Sequence, residues 1–189
     1  MFLLEEDIAC ALAALQKGGT ILYPTDSVWG IGADATNPDA VDKIFALKKR
    51  ADSKVMIVLV PEEKWILDYV AEPEPKVADF IKGITKPTTV IYDQAKNLAP
   101  NLIASDGSIA IRICKANFAQ QLMQAFGKPI VSTSANISGL PTPKCFKDIS
   151  LDIIEGVDYV VRSEQEDTSL KAPSAIVKWE QDQIIIIRP

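Results

Sequence analysis

The sequence predicts an α/β protein: a single domain with a twisted, mixed open sheet flanked by helices and carrying a ligand cleft. Three observations predict it. The middle of the chain alternates short apolar runs with amphipathic stretches. Residues 55–60 form a continuous apolar run, the pattern of a strand covered on both faces. The last part of the chain is strand-rich, so parallel and antiparallel pairs are expected in one sheet.

The elements follow in order. Residues 5–17 read as a helix: Ile8, Leu12 and Leu15 fall on one stripe, acids lead it, and Gly18-Gly19 stops it. Residues 20–23 are a short strand, and residues 24–32 a polar loop with two glycines. Asn37-Pro38-Asp39 predicts a helix start, with Asn37 as cap and Pro38 in the first turn. This helix runs to about Lys49 and buries Val41, Ile44 and Phe45. The apolar strand 55–60 follows. Helices are expected from Pro61 through Tyr69 and over 77–82, joined by the connector Glu72-Pro-Glu-Pro75. Residues 88–92 and 108–113 read as strands, the second alternating enough to be half-buried. Residues 116–126 form a helix that ends at Gly127. Residues 129–131 are a buried strand that breaks into a polar loop, 132–139. Residues 146–154 read as helical, and 157–161, 174–179 and 183–188 as β segments. No linker cuts the chain, so residues 1–189 are expected to form one domain.

Composition narrows the chemistry. The formal net charge is −5, which disfavours a broad nucleic-acid surface. The three cysteines, Cys10, Cys114 and Cys145, are scattered, which argues against a disulfide framework or a zinc site. There is no histidine, so Ser-His-Asp and Cys-His mechanisms are excluded. The start of the chain lacks a signal-peptide pattern and no apolar run reaches membrane-spanning length, so a cytoplasmic location is expected.

Three polar segments could do chemistry. Residues 24–32 carry hydroxyls and a carboxylate. Lys48, Arg50 and Lys54 crowd a short basic segment of an acidic chain. Such cations either cap a helix C-terminus in solvent or clamp a polyphosphate. Residues 132–139 offer Ser132, Ser134 and Asn136, either as plain turn formers or as neutral hydrogen-bonding groups at a ligand site beyond a strand's carboxyl end. Arg112, inside an apolar strand, either faces solvent or anchors a carboxylate or phosphate. Neither a P-loop nor a GxGxxG fingerprint is present.

In order and at their approximate spacing, four stretches carry a resemblance: Tyr23-Pro-Thr-Asp-Ser-Val-Trp-Gly-Ile-Gly32, Leu47-Lys-Lys-Arg50 with Lys54, Ile109-Ala-Ile-Arg112, and Lys128-Pro-Ile-Val-Ser-Thr-Ser-Ala-Asn-Ile-Ser-Gly139. Together they resemble the TsaC/YrdC family of threonylcarbamoyl-AMP synthases, in its short, single-domain form. The closing Pro173-Ser-Ala-Ile-Val177 and Ile187-Arg-Pro189 resemble its last strands.

The resemblance implies a YrdC-like fold and a nucleotidyltransferase. It would join L-threonine, bicarbonate and ATP into threonylcarbamoyl-AMP and pyrophosphate, for t6A modification of tRNA. Lys48 and Arg50 match the family's KxR pair and are the implied catalytic residues. ATP contacts are implied for Lys48, Arg50, Lys54, Ser132, Ser134, Asn136 and Arg188. Threonine contacts are implied for Thr25, Arg112 and Ser174. No metal ligand is expected from the chain, although ATP chemistry implies Mg²⁺. Implied partners are the three substrates and a downstream threonylcarbamoyl-transferase machinery, with direct tRNA binding weak or absent and no membrane. The chain departs from the family at Ala51, where Pro is usual, and at Ile84-Thr-Lys-Pro87, where a Trp-Pro-Gly-Pro element is usual. Tyr23-Pro-Thr-Asp-Ser27 also resembles the YciO paralogues, which gives a second reading: a nucleotide- or RNA-binding protein without synthase activity.

Overall fold

In the computed structural model, which describes residues 2–49, 56–169, 172–181 and 183–189, the chain opens with helix α1 (Phe2–Gln16). Gly18 ends it at φ +68°, and the N–H groups of Gly18 and Gly19 reach back to the carbonyls of Leu15 and Ala14. That left-handed cap explains why a glycine pair stops the helix. Strands β1 (Ile21–Tyr23) and β2 (Gly30–Asp34) follow. Helix α2 (Pro38–Leu47) starts as the sequence predicts, with the Asn37 side chain accepting from the N–H groups of Asp39 and Ala40.

Strand β3 is Ile57–Val60. Where the sequence predicts one helix after Pro61, a 3₁₀ turn over Glu63–Trp65 leads into the short α3 (Ile66–Tyr69). Then come α4 (Pro75–Lys82), β4 (Thr88–Tyr92), β5 (Ile109–Ile113), α5 (Asn117–Phe126) and β6 (Ile130–Ser134). The expected 146–154 helix is a 3₁₀ turn, Phe146–Asp148, followed by α6 (Leu151–Gly156). The chain closes with β7 (Tyr159–Val160), β8 (Ala175–Glu180) and β9 (Gln183–Arg188).

The described strands form one sheet in the order β7-β1-β2-β6-β3-β5-β4-β8-β9. Pairs β1–β7, β3–β5 and β4–β8 are parallel and the other neighbours antiparallel, so the sheet is mixed, as expected. The core runs along its middle strands, with Ile31, Val58, Leu59, Ile111 and Val131 almost wholly buried. Among the described residues no helix is long and apolar enough to cross a membrane.

Three expectations change. Residues 30–32, expected in the 24–32 loop, belong to strand β2, whose five residues pair with β6. Residues 132–134 continue β6 rather than starting a loop. Ladder pairing on both sides outweighs the turn preference of glycine and serine. Strand β5 is buried rather than half-buried: Ile109 and Ile111 on one face and Ala110 and Arg112 on the other are all buried, so both faces are covered.

One buried carboxylate ties the two ends of the fold together. Asp7 of α1 is fully buried and accepts from Tyr159 Oη (2.6 Å), Arg162 Nε (3.1 Å), and the backbone N–H groups of Arg162 (3.1 Å) and Ser163 (2.7 Å). Burial alone would raise its pKa, but these bonds outweigh it and hold the carboxyl below its usual range. A carboxylate with a depressed folded-state pKa stabilises the fold above its unfolded-state pKa. That contribution is lost as pH falls below the usual carboxylate value and through the lowered folded-state one. Asp7→Asn is expected to destabilise by about 2–3 kcal/mol, because buried donors lose a charged acceptor. The change should lower Tm by roughly 4–12 °C at neutral pH and flatten the acid limb of stability against pH. Equal melting of the two proteins at neutral pH would contradict this.

Candidate active site

A row of directly opposed residues crosses five strands: Gly32, Ser132, Ile57, Ala110 and Ile91. Opposed side chains in a sheet share a face. Ser132, Ile57, Ala110 and Ile91 of this row floor a cleft of about 430 Å³. The cleft therefore opens over the sheet face, not only beyond strand ends. Thr25, Lys48, Arg112, Ser132, Ser134, Asn136, Ser174 and Arg188 all line it. Arg50 and Lys54 lie outside the described residues. Groups far apart in the chain, from Thr25 to Arg188, thus meet around one space.

The two glycines of β2 have a packing reason. A Cβ on Gly30 would lie 2.7 Å from Ser132 Oγ. One on Gly32 would lie 2.7 Å from the Tyr23 ring and 2.9 Å from Ile130 Cγ2. Only a bare backbone lets Ser132 and the Tyr23 ring lie so close to β2.

Lys48 is the C-cap residue of α2 through its backbone, yet its side chain is 2 % exposed rather than solvated. Its Nζ donates to the carbonyls of Ser134 and of Asn136, the latter at 2.6 Å. The Ser138 N–H in turn donates to the Lys48 carbonyl. A cation at the end of α2 is thus clamped onto the segment that leaves β6. Asn136 has a fixed orientation: Nδ2 donates to the carbonyls of Ile137 (3.0 Å) and Leu140 (2.8 Å). Its Oδ1 is buried and has no hydrogen-bond donor among the described residues. Asn136 therefore offers the cleft an acceptor, suited to a hydroxyl or amine.

Arg112 is 4 % exposed, so it does not face solvent. Its Nη2 pairs with Asp26 Oδ1 at 3.1 Å and lies 3.5 Å from Thr25 Oγ1, and its Nε is buried with no acceptor among the described residues. Thr25 spends its hydroxyl hydrogen on the Val28 carbonyl (2.7 Å) and accepts from the Ser27 N–H, so its hydroxyl holds the turn and offers the cleft no hydrogen. Across the cleft, Ser174 Oγ shares a hydrogen bond with Thr89 Oγ1 (2.9 Å). Arg188 grips the Ser174 carbonyl through Nε (3.0 Å) and Nη2 (2.7 Å). Burial and then the Arg112 charge lower the pKa of Arg188. Two guanidiniums that feel each other across a cleft make a natural seat for an anion.

Sequence reasoning counts Asp26 and Ser27 only as polar groups of the 24–32 segment and gives no role to them, to Ser138 or to Thr142; Ser27, Ser138 and Thr142 also line the cleft, and Asp26 holds Arg112. Ser27 and Asp26 lie inside the Pro24–Gly32 motif, where the family resemblance singles out Thr25 alone. Thr142 follows a proline in a turn and carries no signal of its own. No Asp or Glu is among the described residues that line the cleft, and no cluster of three His, Cys, Asp or Glu able to hold a metal occurs among the described residues. Mg²⁺ favours carboxylates together with substrate phosphates. Hydroxyls, an amide and cations do not fit a resident Mg²⁺, which would instead arrive as part of MgATP.

The chain and its fold are similar to known proteins. The Sua5/yciO/yrdC family, described as telomere recombination, matches residues 13–189. The threonylcarbamoyl-AMP synthase of Pseudoalteromonas translucida is 34% identical over 160 residues, covering 83% of this chain and 86% of the relative. That of Vibrio parahaemolyticus is 32% identical over 177 residues, covering 92% and 95%. Among solved structures, P. abyssi Sua5 complexed with L-threonine superposes with a TM-score of 0.85 at 21% identity, over 96% of this chain and 53% of the Sua5 chain. E. coli YciO superposes with a TM-score of 0.83 at 20% identity, over 98% and 89%. This chain thus spans about half the length of that Sua5 and most of the length of the synthases and of YciO. On this match along nearly its whole length, the chain belongs to the Sua5/YciO/YrdC family.

Proposed function

We propose that this protein is a threonylcarbamoyl-AMP synthase, a nucleotidyltransferase that joins L-threonine, bicarbonate and ATP and releases pyrophosphate. The observation that carries the proposal is the meeting of Lys48, Arg112 and Arg188 with Ser132, Ser134 and Ser174 around one cleft that no described carboxylate lines. Such a lining suits substrates that each present a carboxylate, bicarbonate or phosphate group. The names of the synthase relatives and the threonine complex of the fold neighbour point the same way.

The chemistry needs no protein nucleophile. Bicarbonate takes up a proton and loses water to give CO2; the neutral threonine amine adds to the carbon of that CO2 and loses a proton, giving a carbamate. A carbamate oxygen then attacks the α-phosphorus of ATP as the bond to the β-phosphate oxygen breaks and pyrophosphate leaves. The protein aligns the reactants and balances charge, which suits a chain without histidine. In this scheme Arg112, with Thr25 beside it and Ser174 across the cleft, seats the threonine carboxylate. Lys48 and Arg188 serve the triphosphate, and the family resemblance assigns Arg50 and Lys54 to the same task. Ser132 and Ser134 donate to the carbamate and phosphate oxygens, and Asn136 accepts from a nucleotide hydroxyl or amine. The reactive product passes to a threonylcarbamoyl-transferase in the cytoplasm for t6A formation, and the net charge of −5 leaves direct tRNA contact weak or absent. Residues 1–189 act as one YrdC-like unit in this proposal.

The test is pyrophosphate release from MgATP with threonine and bicarbonate varied independently. Release that requires both is expected. ATP binding without threonine-dependent release would sink the synthase reading and favour the YciO-like one.

A further inference from the structure

The ion pair between Asp26 and Arg112 has a feature the reaction scheme does not use. All the donors that the described structure places on the Asp26 carboxylate come from one strand and its exit. Oδ1 takes Arg112 Nη2 at 3.1 Å and Cys114 Sγ at 3.4 Å, and Oδ2 takes the Lys115 N–H at 3.0 Å. Burial and then the Asp26 charge push the Cys114 thiol up to about 11, so it stays protonated and donates. The carboxylate is therefore fixed by β5 itself, on the strand that carries Arg112. It occupies one terminal nitrogen of the guanidinium and fixes the direction of the fork. The buried Nε keeps its hydrogen with no acceptor among the described residues. A guanidinium fork recognises a carboxylate through its fixed geometry, so its orientation sets affinity. Arg188, across the cleft, adds a second reason for the carboxylate, since a negative charge on Arg112 offsets the repulsion between the two guanidiniums.

We propose that Asp26 is a positioning residue: it aims Arg112 at the carboxylate of the amino-acid substrate and thereby sets the affinity for that substrate. The inference rests on the threonine-binding reading above. Asp26 touches neither the nucleotide nor the reacting atoms. It acts on the amino acid through Arg112 alone.

The test compares wild type, Asp26→Asn and Asp26→Glu by calorimetric titration with L-threonine and, separately, MgATP, together with steady-state kinetics and thermal melting. Asp26→Asn should weaken L-threonine binding about tenfold, raise KM for threonine by a similar factor, and change the ATP affinity and kcat less than threefold. Asp26→Glu keeps the charge and should recover part of the threonine affinity, which a carboxylate that merely braces the loop would not do selectively. If Asp26→Asn does not fold, Asp26→Glu carries the test: a threonine-selective loss smaller than tenfold, with ATP affinity unchanged, supports the proposal. Threonine affinity unchanged in folded Asp26→Asn overturns it, or unchanged in Asp26→Glu where that is the only variant that folds, as does an equal loss for threonine and ATP. A wild-type protein that binds MgATP but no L-threonine overturns the functional reading and this inference together. Threonine binding in wild type with no effect of the variants overturns the inference alone.

Discussion

Lys48→Met is expected to cut threonine- and bicarbonate-dependent pyrophosphate release by roughly 100-fold or more, the scale on which a single preorganised donor to a developing charge contributes. Methionine keeps most of the side-chain length and removes the ammonium. Two consequences follow from where that ammonium sits. It lines the cleft, so its loss removes positive charge from the space that receives the triphosphate. It also donates to the carbonyls of Ser134 and Asn136, so its loss releases the segment that presents Ser134 and the Asn136 acceptor. Stability should change less, by at most about 2 kcal/mol, because two carbonyls lose a donor while a buried charge is removed with it. Kinetics and melting of the same preparation separate the outcomes. Activity within tenfold of wild type would remove Lys48 from the machinery. A loss explained by unfolding at the assay temperature would leave it only the role of holding the turn.

Arg112→Lys gives the second large effect, and it should fall on one substrate. Lysine preserves the charge but not the planar fork. It can still face Asp26, as a point charge, so the ion pair survives while directed contacts to a carboxylate do not. The expected rise in KM for threonine is roughly 10–150-fold, the equivalent of one charge-assisted bond of about 1.5–3 kcal/mol. KM for ATP should stay within about threefold, because Arg188 and Lys48 line the nucleotide side of the proposed scheme. Steady-state kinetics with each substrate varied in turn decide the matter. Equal effects on both substrates would argue that Arg112 serves the nucleotide.

Much of the cleft lining is legible in the amino-acid sequence. Arg112 stands out as a charge within an apolar strand, Lys48 as part of a basic cluster, and Ser132, Ser134 and Asn136 as polar groups where a strand ends; Ser174 and Arg188 come from the family resemblance. What the sequence hides is how each is used. Lys48 and Arg112 are equally compatible with solvated faces on sequence grounds, and both side chains are buried. Thr25 is expected to reach the substrate, yet its hydroxyl hydrogen is spent on the Val28 carbonyl. Asp26 is legible only as the carboxylate of a polar segment, because its partner Arg112 is far away along the chain.

By itself the sequence determined the α/β class, the mixed sheet, the caps at Asn37, Gly18 and Gly127, and the absence of histidine chemistry. These are local or compositional facts, set by dihedral preference, periodicity and residue type. Only the tertiary structure decided that Gly30 and Gly32 belong to a strand, that residues 132–134 are ladder rather than loop, and that one sheet face bears the cleft. Those outcomes depend on which strand lies beside which. A glycine is a turn signal until a neighbour's side chain needs the space a Cβ would fill. A buried cation is a capping charge until the opposing segment supplies the carbonyls that hold it.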